Sequence, residues 1–216
     1  MKIRTISFDV DGTLISRDFM DAVWFEGVPK LYAEKLEISF EEALERVKDK
    51  YNKVGAEKVE WADIKFWFRF LSLGEGWKDL LEKYGSRVSV SPEVRGVLEE
   101  LRKRYKLIIS SSTTREFLDV ILRETKLGNF FERIFLSTSD YGKTGKDADF
   151  YREVCRGTKL TPEQLVHVGD NWNFDFLVPR KVGINALYLD RAGEKRGKFI
   201  IRDLNELKNF LQARDT

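Results

Sequence analysis

Residues 8–14 read FDVDGTL: an apolar run ends on Asp9, and a second carboxylate, Asp11, follows one residue further on. Taken alone, the Asp-Gly pair reads as a tight turn joining two strands. The flanking residues argue against a hairpin, because the chain beyond Leu14 continues into helical patterns with no partner strand. Two carboxylates held together also need compensation, since like charges ~4 Å apart repel by ~1–4 kcal/mol in a screened setting. The rest of the chain has to supply positive charge.

Short β-rich runs recur at 5–10 (TISFDV), 106–111 (KLIISS), 133–138 (RIFLST), 165–170 (LVHVGD), 185–190 (NALYLD) and 199–202 (FIIR). Helical patterns separate them. Over 91–104, Ser91 and Pro92 open a segment with Val94, Val97, Leu98 and Leu101 on one face. Over 114–126, Phe117, Leu118, Ile121 and Leu122 form a second stripe that stops by Gly128, and Thr161, Pro162 and Gln164 predict a further helix start. A last helix over 203–211 carries Leu204, Leu207, Phe210 and Leu211. Strand and helix thus alternate from residue 91 onward, which predicts an α/β fold with a parallel sheet covered by helices on both faces.

The stretch 16–90 breaks this alternation. Ser39 with Glu42 has the pattern of a capping box, followed by a stripe of Phe40, Leu44, Val47, Tyr51 and Val54. Residues 60–77, EWADIKFWFRFLSLGEGW, carry aromatics on more than one helical face. We expect an all-helical insertion at 16–90, directly after the first strand, in a core made of 1–15 and 91–216. A chain of 216 residues suits one core domain with an insertion.

Lys and Arg number 38 against 36 Asp and Glu, a net charge of +2 that gives no reason to invoke nucleic acid or a membrane surface. With Cys155 as the one cysteine, an intramolecular disulfide is impossible and a cysteine-based zinc site is disfavoured. That usage fits a reducing, cytoplasmic location. Asp9 and Asp11 interrupt the apolar start before a signal-peptide core forms, and no run is long enough to span a bilayer.

A second acidic cluster, HVGDNWNFD at 167–175, places Asp170 at a strand end and Asp175 five residues later. Gly, Asp and Asn are ordinary loop formers. In open α/β sheets, however, ligands sit outside the carboxyl ends of neighbouring strands, and both acidic pairs lie at such ends. A hard divalent ion would relieve the repulsion among Asp9, Asp170 and Asp175. Magnesium takes one or two carboxylates, waters and a substrate phosphate, so a phosphorylated substrate follows.

DVDGTL followed much later by GDNWNFD resembles the first and fourth motifs of the haloacid dehalogenase-like (HAD) superfamily, over 1–15 and about 91–205. The resemblance implies a Rossmann-like core with a helical cap inserted after the first motif, and a phosphatase acting on a small phosphorylated metabolite. It implies Asp9 as nucleophile, forming an aspartyl-phosphate, and Asp11 as general acid/base. Mg2+ would take Asp9, the main-chain carbonyl of Asp11, and Asp170, with Asn171 and Asp175 supporting. The second motif matches Ser111, with Ser110 one register away, and the amide of Ser112 would join it in binding phosphoryl oxygens. Ser112, Thr113 and Thr114 also read as caps of the next helix.

The third motif is a lysine, for which Lys143 and Lys146 compete and spacing favours Lys146; the family's usual following proline is replaced here by Asp147. His167 and Cys155 read as structural. Trp61, Phe66, Trp67, Phe68 and Phe70 read as cap core or cap-to-core contact, while Arg17, Trp24 and Phe25 are candidates to line the leaving group. A dehalogenase is disfavoured because it needs no proton donor at Asp11. A phosphomutase or other phosphotransferase shares these motifs; a receiver-like signalling protein or a non-catalytic phosphate binder is the reading from another class. Either a monomer or a homodimer is compatible with the exposed aromatics.

Overall fold

A computed structural model describes residues 2–215, with side chains described through Gln212. Met1 and Thr216, the outer limits of the expected core, lie outside the described residues. The strands are β1 (Thr5–Phe8), β2 (Lys106–Ser111), β3 (Arg133–Leu136), β4 (Leu165–Gly169), β5 (Asn185–Leu189) and β6 (Ile200–Ile201). They form one 6-stranded sheet in the order β3-β2-β1-β4-β5-β6, with every neighbouring pair parallel. The sheet has the expected Rossmann-like α/β form. All of β1 and β4 is buried, as strands covered on both faces must be.

Within 16–90 the named elements are helical: α1 (Asp18–Ala22), α2 (Val28–Leu36), α3 (Phe40–Val54), α4 (Ile64–Phe70) and α5 (Trp77–Tyr84). Ser39 caps α3 by accepting a hydrogen bond from Glu42 N at 3.1 Å. After β1 and its helices come α6 (Val94–Leu101), α7 (Arg115–Thr125), α8 (Ser137–Tyr141), α9 (Ala148–Thr158), α10 (Val178–Lys181) and α11 (Leu207–Asp215). A π turn, Val23–Gly27, joins α1 to α2, and Pro29 lies in the first turn of α2. The same arrangement recurs where the π turn Trp172–Leu177 runs into α10 with Pro179. Proline lacks an N–H and clashes with the carbonyl four residues back, and the wider turn before it accommodates both defects.

Period-two alternation divides the core. Ile6, Phe8, Val166, Val168, Leu187 and Leu189 face α6 and the C-terminal helix. Ile108 and Leu165 face the opposite way, under Phe150, Tyr151 and Val154 of α9. The helical stretch packs Phe19, Val47, Trp67, Phe68 and Leu80 into one apolar cluster with Phe117 and Val120 of α7. Its two ends meet: Ile15 bridges Val90 in antiparallel fashion, Ser16 N donates to Ser89 O at 2.8 Å, and Ser91 N donates to Leu14 O at 3.3 Å.

Several local expectations need correction. The capping box at Thr161 and Gln164 forms but opens only a 3-10 turn, Pro162–Gln164, because the fully buried β4 starts at Leu165. β3 ends at Leu136, and Ser137–Tyr141 is helical. The helix expected over 114–126 is α7, which ends at Thr125 with Lys126 as its cap at a left-handed φ of 57°, ahead of Gly128 as expected. Among the described residues no helix is long and apolar enough to cross a membrane.

Trp67 is 0% exposed and meets Tyr51 edge-on with ring centroids 4.5 Å apart. Trp67→Ala is expected to cost about 3–5 kcal/mol through the cavity it leaves, read as a lowered urea midpoint at unchanged m-value.

Candidate active site

Asp9 directly follows β1 and donates its N–H to Val168 O at 2.9 Å, which sets it between the carboxyl ends of β2 and β4. Gly12 turns the chain with φ +78°, and a Cβ there would lie 2.2 Å from Asp170 Oδ2. Only glycine lets the Asp9–Asp11 loop approach Asp170 so closely. A Cβ on Gly169 would likewise lie 2.3 Å from Asp175 Cγ, so glycine there allows Asp175 to fold back under the strand end.

Lys146 is 2% exposed. Its ammonium pairs with Asp9 Oδ1, lies 2.6 Å from Asp175 Oδ1 and 3.5 Å from Ser110 O. Lys143 is outside this cluster, paired with Asp147 at 2.5 Å. Asp147 caps α9 by accepting from Phe150 N at 2.8 Å, which gives a physical reason for finding it where the family usually has proline: both residues start helices.

Alternation along β2 separates the two serine candidates. Ser111 lines the cavity above Asp9 and accepts from Thr113 N at 3.3 Å, while Ser110 Oγ lies 2.8 Å from Ser7 Oγ. Ser112 also lines the cavity, with its carbonyl accepting from Thr138 Oγ1 at 2.7 Å. The cap expected from Ser112–Thr114 does not form, since Arg115 N donates instead to Ser139 Oγ at 2.9 Å. Thr113 Oγ1, Thr114 Oγ1 and Asp11 Oδ1 are buried without a hydrogen-bond partner. Such unmet polar atoms around one cavity are what a polar ligand would satisfy.

Asp175 is fully buried and fully engaged. Its Oδ1 meets Lys146 and lies 2.9 Å from His167 Nε2, and its Oδ2 accepts from Asn171 N at 2.9 Å. Asn171 Oδ1 is taken up in capping the π turn, accepting from Asn173 N and Phe174 N. His167 Nδ1 lies 2.9 Å from Ser7 Oγ, so a buried chain runs from Ser110 through Ser7, His167 and Asp175 to Lys146 and Asp9. The sequence reading of His167 as structural missed this connection. Its one sequence signal is a histidine at the same alternation phase as Asp9's own strand face, three residues before Asp170.

Burial pushes Asp9 up to about 7, with Asp175 and Asp170 adding to the rise and Lys146 opposing it. Burial likewise pushes Asp11 up to about 6, with Asp170 adding and Arg17 opposing. Burial alone would lower Lys146, but Asp175 and Asp9 override it and hold the ammonium above the usual lysine range. Burial would raise Asp175, but Lys146 and His167 hold it well below the usual carboxylate range. His167 is lowered by burial, with Asp175 in part opposing, so the neutral ring donates from Nε2 to the ionised Asp175.

One oxygen from each of Asp9, Asp170 and Asp175 lies within 4.8 Å of the others. Asp170 Oδ2 is met by Arg17 Nη2 at 2.7 Å. With Asp9, Asp11, Asp170 and Asp175 ionised, Lys146 and Arg17 would leave two negative charges uncompensated (4 − 2). This crowding of like charge adds to burial in raising Asp9 and Asp11, and a divalent cation fits the deficit. Asp9 and Asp170 keep oxygens for such an ion, whereas those of Asp175 are occupied.

The carboxylates floor a cavity of about 340 Å³ whose walls include Trp24, Phe25, Tyr51 and Trp61 of the helical stretch. A parallel sheet that gathers carboxylates and a buried lysine at the ends of its central strands, under such a cavity, is the framework of a hydrolytic enzyme. The chain belongs to the haloacid dehalogenase-like hydrolase family, which matches residues 3–183. It is 25% identical over 170 residues to the GMP/IMP nucleotidase YrfG of Escherichia coli, covering 78% of this chain and 75% of the relative. To the pyrophosphatase PpaX of Oceanobacillus iheyensis it is 26% identical over 215 residues, covering 97% and 90%. The solved structure of a HAD phosphatase from Thermococcus onnurineus is similar with a TM-score of 0.83 at 27% identity, over 98% of both chains.

His167→Leu removes one partner of Asp175 and one of Ser7 inside a buried chain. It is expected to cost about 1–3 kcal/mol in equilibrium urea unfolding, and an unchanged midpoint would show that the chain contributes nothing to stability.

Proposed function

We propose that this chain is a magnesium-dependent phosphatase that hydrolyses a small phosphate monoester through an aspartyl-phosphate on Asp9. In this reading residues 16–90 cap a catalytic core made of 1–15 and 91–216. The observation that carries it is Asp11: a second carboxylate on the cavity wall beside Asp9, with an oxygen that no protein group satisfies. Displacing an alkoxide requires a proton donor, and displacing a halide does not. The names of the nucleotidase, pyrophosphatase and phosphatase relatives share hydrolysis at phosphorus, and only that common part bears on this chain.

Asp9 attacks phosphorus in line, the bond to the leaving oxygen breaks, and Asp11 delivers its proton to that oxygen. Asp11, now ionised, takes a proton from water as the water oxygen attacks the same phosphorus. The bond to Asp9 then breaks, phosphate leaves, and Asp11 is protonated again. Lys146, the Ser111 hydroxyl and the Ser112 amide hold phosphoryl oxygens through both steps. Mg2+ would be held by Asp9, Asp170 and the main-chain carbonyl of Asp11, where it supplies the positive charge that lets two anions approach. Asn171 and Asp175 support that arrangement by holding the loop and Lys146. The helical stretch excludes bulk water and reads the leaving group.

Hydrolysis of a phosphate monoester is expected to require added Mg2+ and to be abolished by chelation. Asp9→Asn should lose turnover, and wild-type rates in that variant would overturn the role of Asp9. Asp11→Asn should still bind Mg2+, measured calorimetrically, while kcat falls by about 10²–10⁴ on an alkyl ester and by less on a nitrophenyl ester that leaves without a proton.

A further inference from the structure

The walls of the cavity differ in kind from its floor. Carboxylates, Lys146 and hydroxyls make the floor, and rings make most of the wall contributed by the helical stretch. Each ring has a different degree of internal engagement. Trp24 stacks on Phe117 with centroids 5.4 Å apart and a 28° interplanar angle, and it meets Tyr51 edge-on. The Tyr51 hydroxyl, the natural hydrogen-bonding group of this wall, already donates to Trp24 O at 3.2 Å. Phe25 touches Tyr51 edge-on and has Lys48 over its ring.

Trp61 is different. It is 41% exposed, lines the cavity, and among the described residues packs against no other aromatic ring or cation. Its backbone is nevertheless held, because its carbonyl accepts from Trp67 Nε1 at 3.0 Å and Trp67 is fully buried. The indole is thus an exposed aromatic face on a fixed support, on the wall of a site whose other rings from the helical stretch have partners. Of the charged groups on this wall, Arg17 is engaged by Asp170, which leaves Asp21 as an acceptor near the rings.

We propose that the leaving group of the substrate carries a planar aromatic ring, which stacks on Trp61 while its phosphate lies over Asp9. The proposal rests on the phosphatase reading above and specifies its substrate class. A sugar phosphate would set several hydroxyls against a wall made mostly of rings, with Asp21 as the acceptor near them, and inorganic pyrophosphate would place nothing on those rings. A ring joined to phosphate through a saturated linker gains a stacking contact at no polar cost. A simple arylalkyl ester has this chemistry outright, and a nucleoside 5′-monophosphate adds ribose hydroxyls for which Asp21 is an acceptor.

Two matched pairs test it with Mg2+ present: benzyl phosphate against cyclohexylmethyl phosphate, and a purine ribonucleoside 5′-monophosphate against ribose 5-phosphate. Within each pair the ester linkage is alike and the ring differs. The aromatic member is expected to show at least about fivefold higher kcat/KM, the size of one or two aromatic contacts. Trp61→Leu should pull both ratios toward one, chiefly through KM. Binding of benzyl phosphate to Asp9→Asn, followed by quenching of tryptophan fluorescence, should weaken in the Asp9→Asn/Trp61→Leu double variant. The faster of the two aromatic esters tells which source supplies the ring. Equal or better hydrolysis of the non-aromatic member of both pairs overturns the aromatic assignment while leaving the phosphatase reading intact. If Mg2+-loaded wild type hydrolyses no monoester at all, the phosphatase reading falls and this proposal with it.

Discussion

A lysine ammonium held almost entirely out of water between two carboxylates is the constraint on which the site depends. Removing a charge of that kind from water costs several kcal/mol, which only close and well-directed anions return. Asp9 and Asp175 provide them, and each is itself fixed: Asp9 by the end of β1, Asp175 by His167 and by Asn171 N. Charge therefore sets the geometry of three loops at once. The loop after β1, the loop after β4 and the segment leading into α9 can meet only in the arrangement that brings Lys146 to both carboxylates.

The small residues serve the same end. Gly12 and Gly169 each occupy a position where a Cβ would collide with a carboxylate of the cluster. The left-handed turn at Gly12 brings Asp11 onto the cavity wall, and the π turn after Asn171 carries Asp175 under the strand end. Backbone shape and charge placement are thus one problem solved jointly. Gly169 serves the aspartate it faces, and Gly12 serves both Asp170 and the left-handed turn that carries Asp11.

The β runs and their alternation with helices were legible because parallel strands buried on both faces read as continuous apolar runs, as in β1 and β4. Asp9, Asp11 and Asp170 stood out as charges grouped at strand ends, and Lys146 through its spacing within the resemblance to the family; all four line one cavity. Other features were not. A capping box looks the same ahead of a helix or a single 3-10 turn, so the local pattern at 161–164 was read too far. His167 was read as bland because its partners, Ser7 and Asp175, come from another strand and from a turn that folds back, which residue spacing does not encode. Cap bonding at Ser112–Thr114 was misplaced for the same reason, since the acceptor of the first α7 amide comes from Ser139 on a neighbouring helix. The open face of Trp61 depends on which rings of the helical stretch found partners, a matter of packing alone.

The helical stretch leaves and rejoins the sheet at one place, where Ile15 bridges Val90 and Ser16 bonds to Ser89. For the sheet, everything between these residues is a closed loop. Because the entropy of closing a loop rises only with the logarithm of its length, the number and order of helices inside it weigh little on the register of β1. The part that touches the leaving group can therefore be lengthened, shortened or rebuilt without moving Asp9. Descendants of such a chain can change what they recognise while the chemistry beneath stays in place.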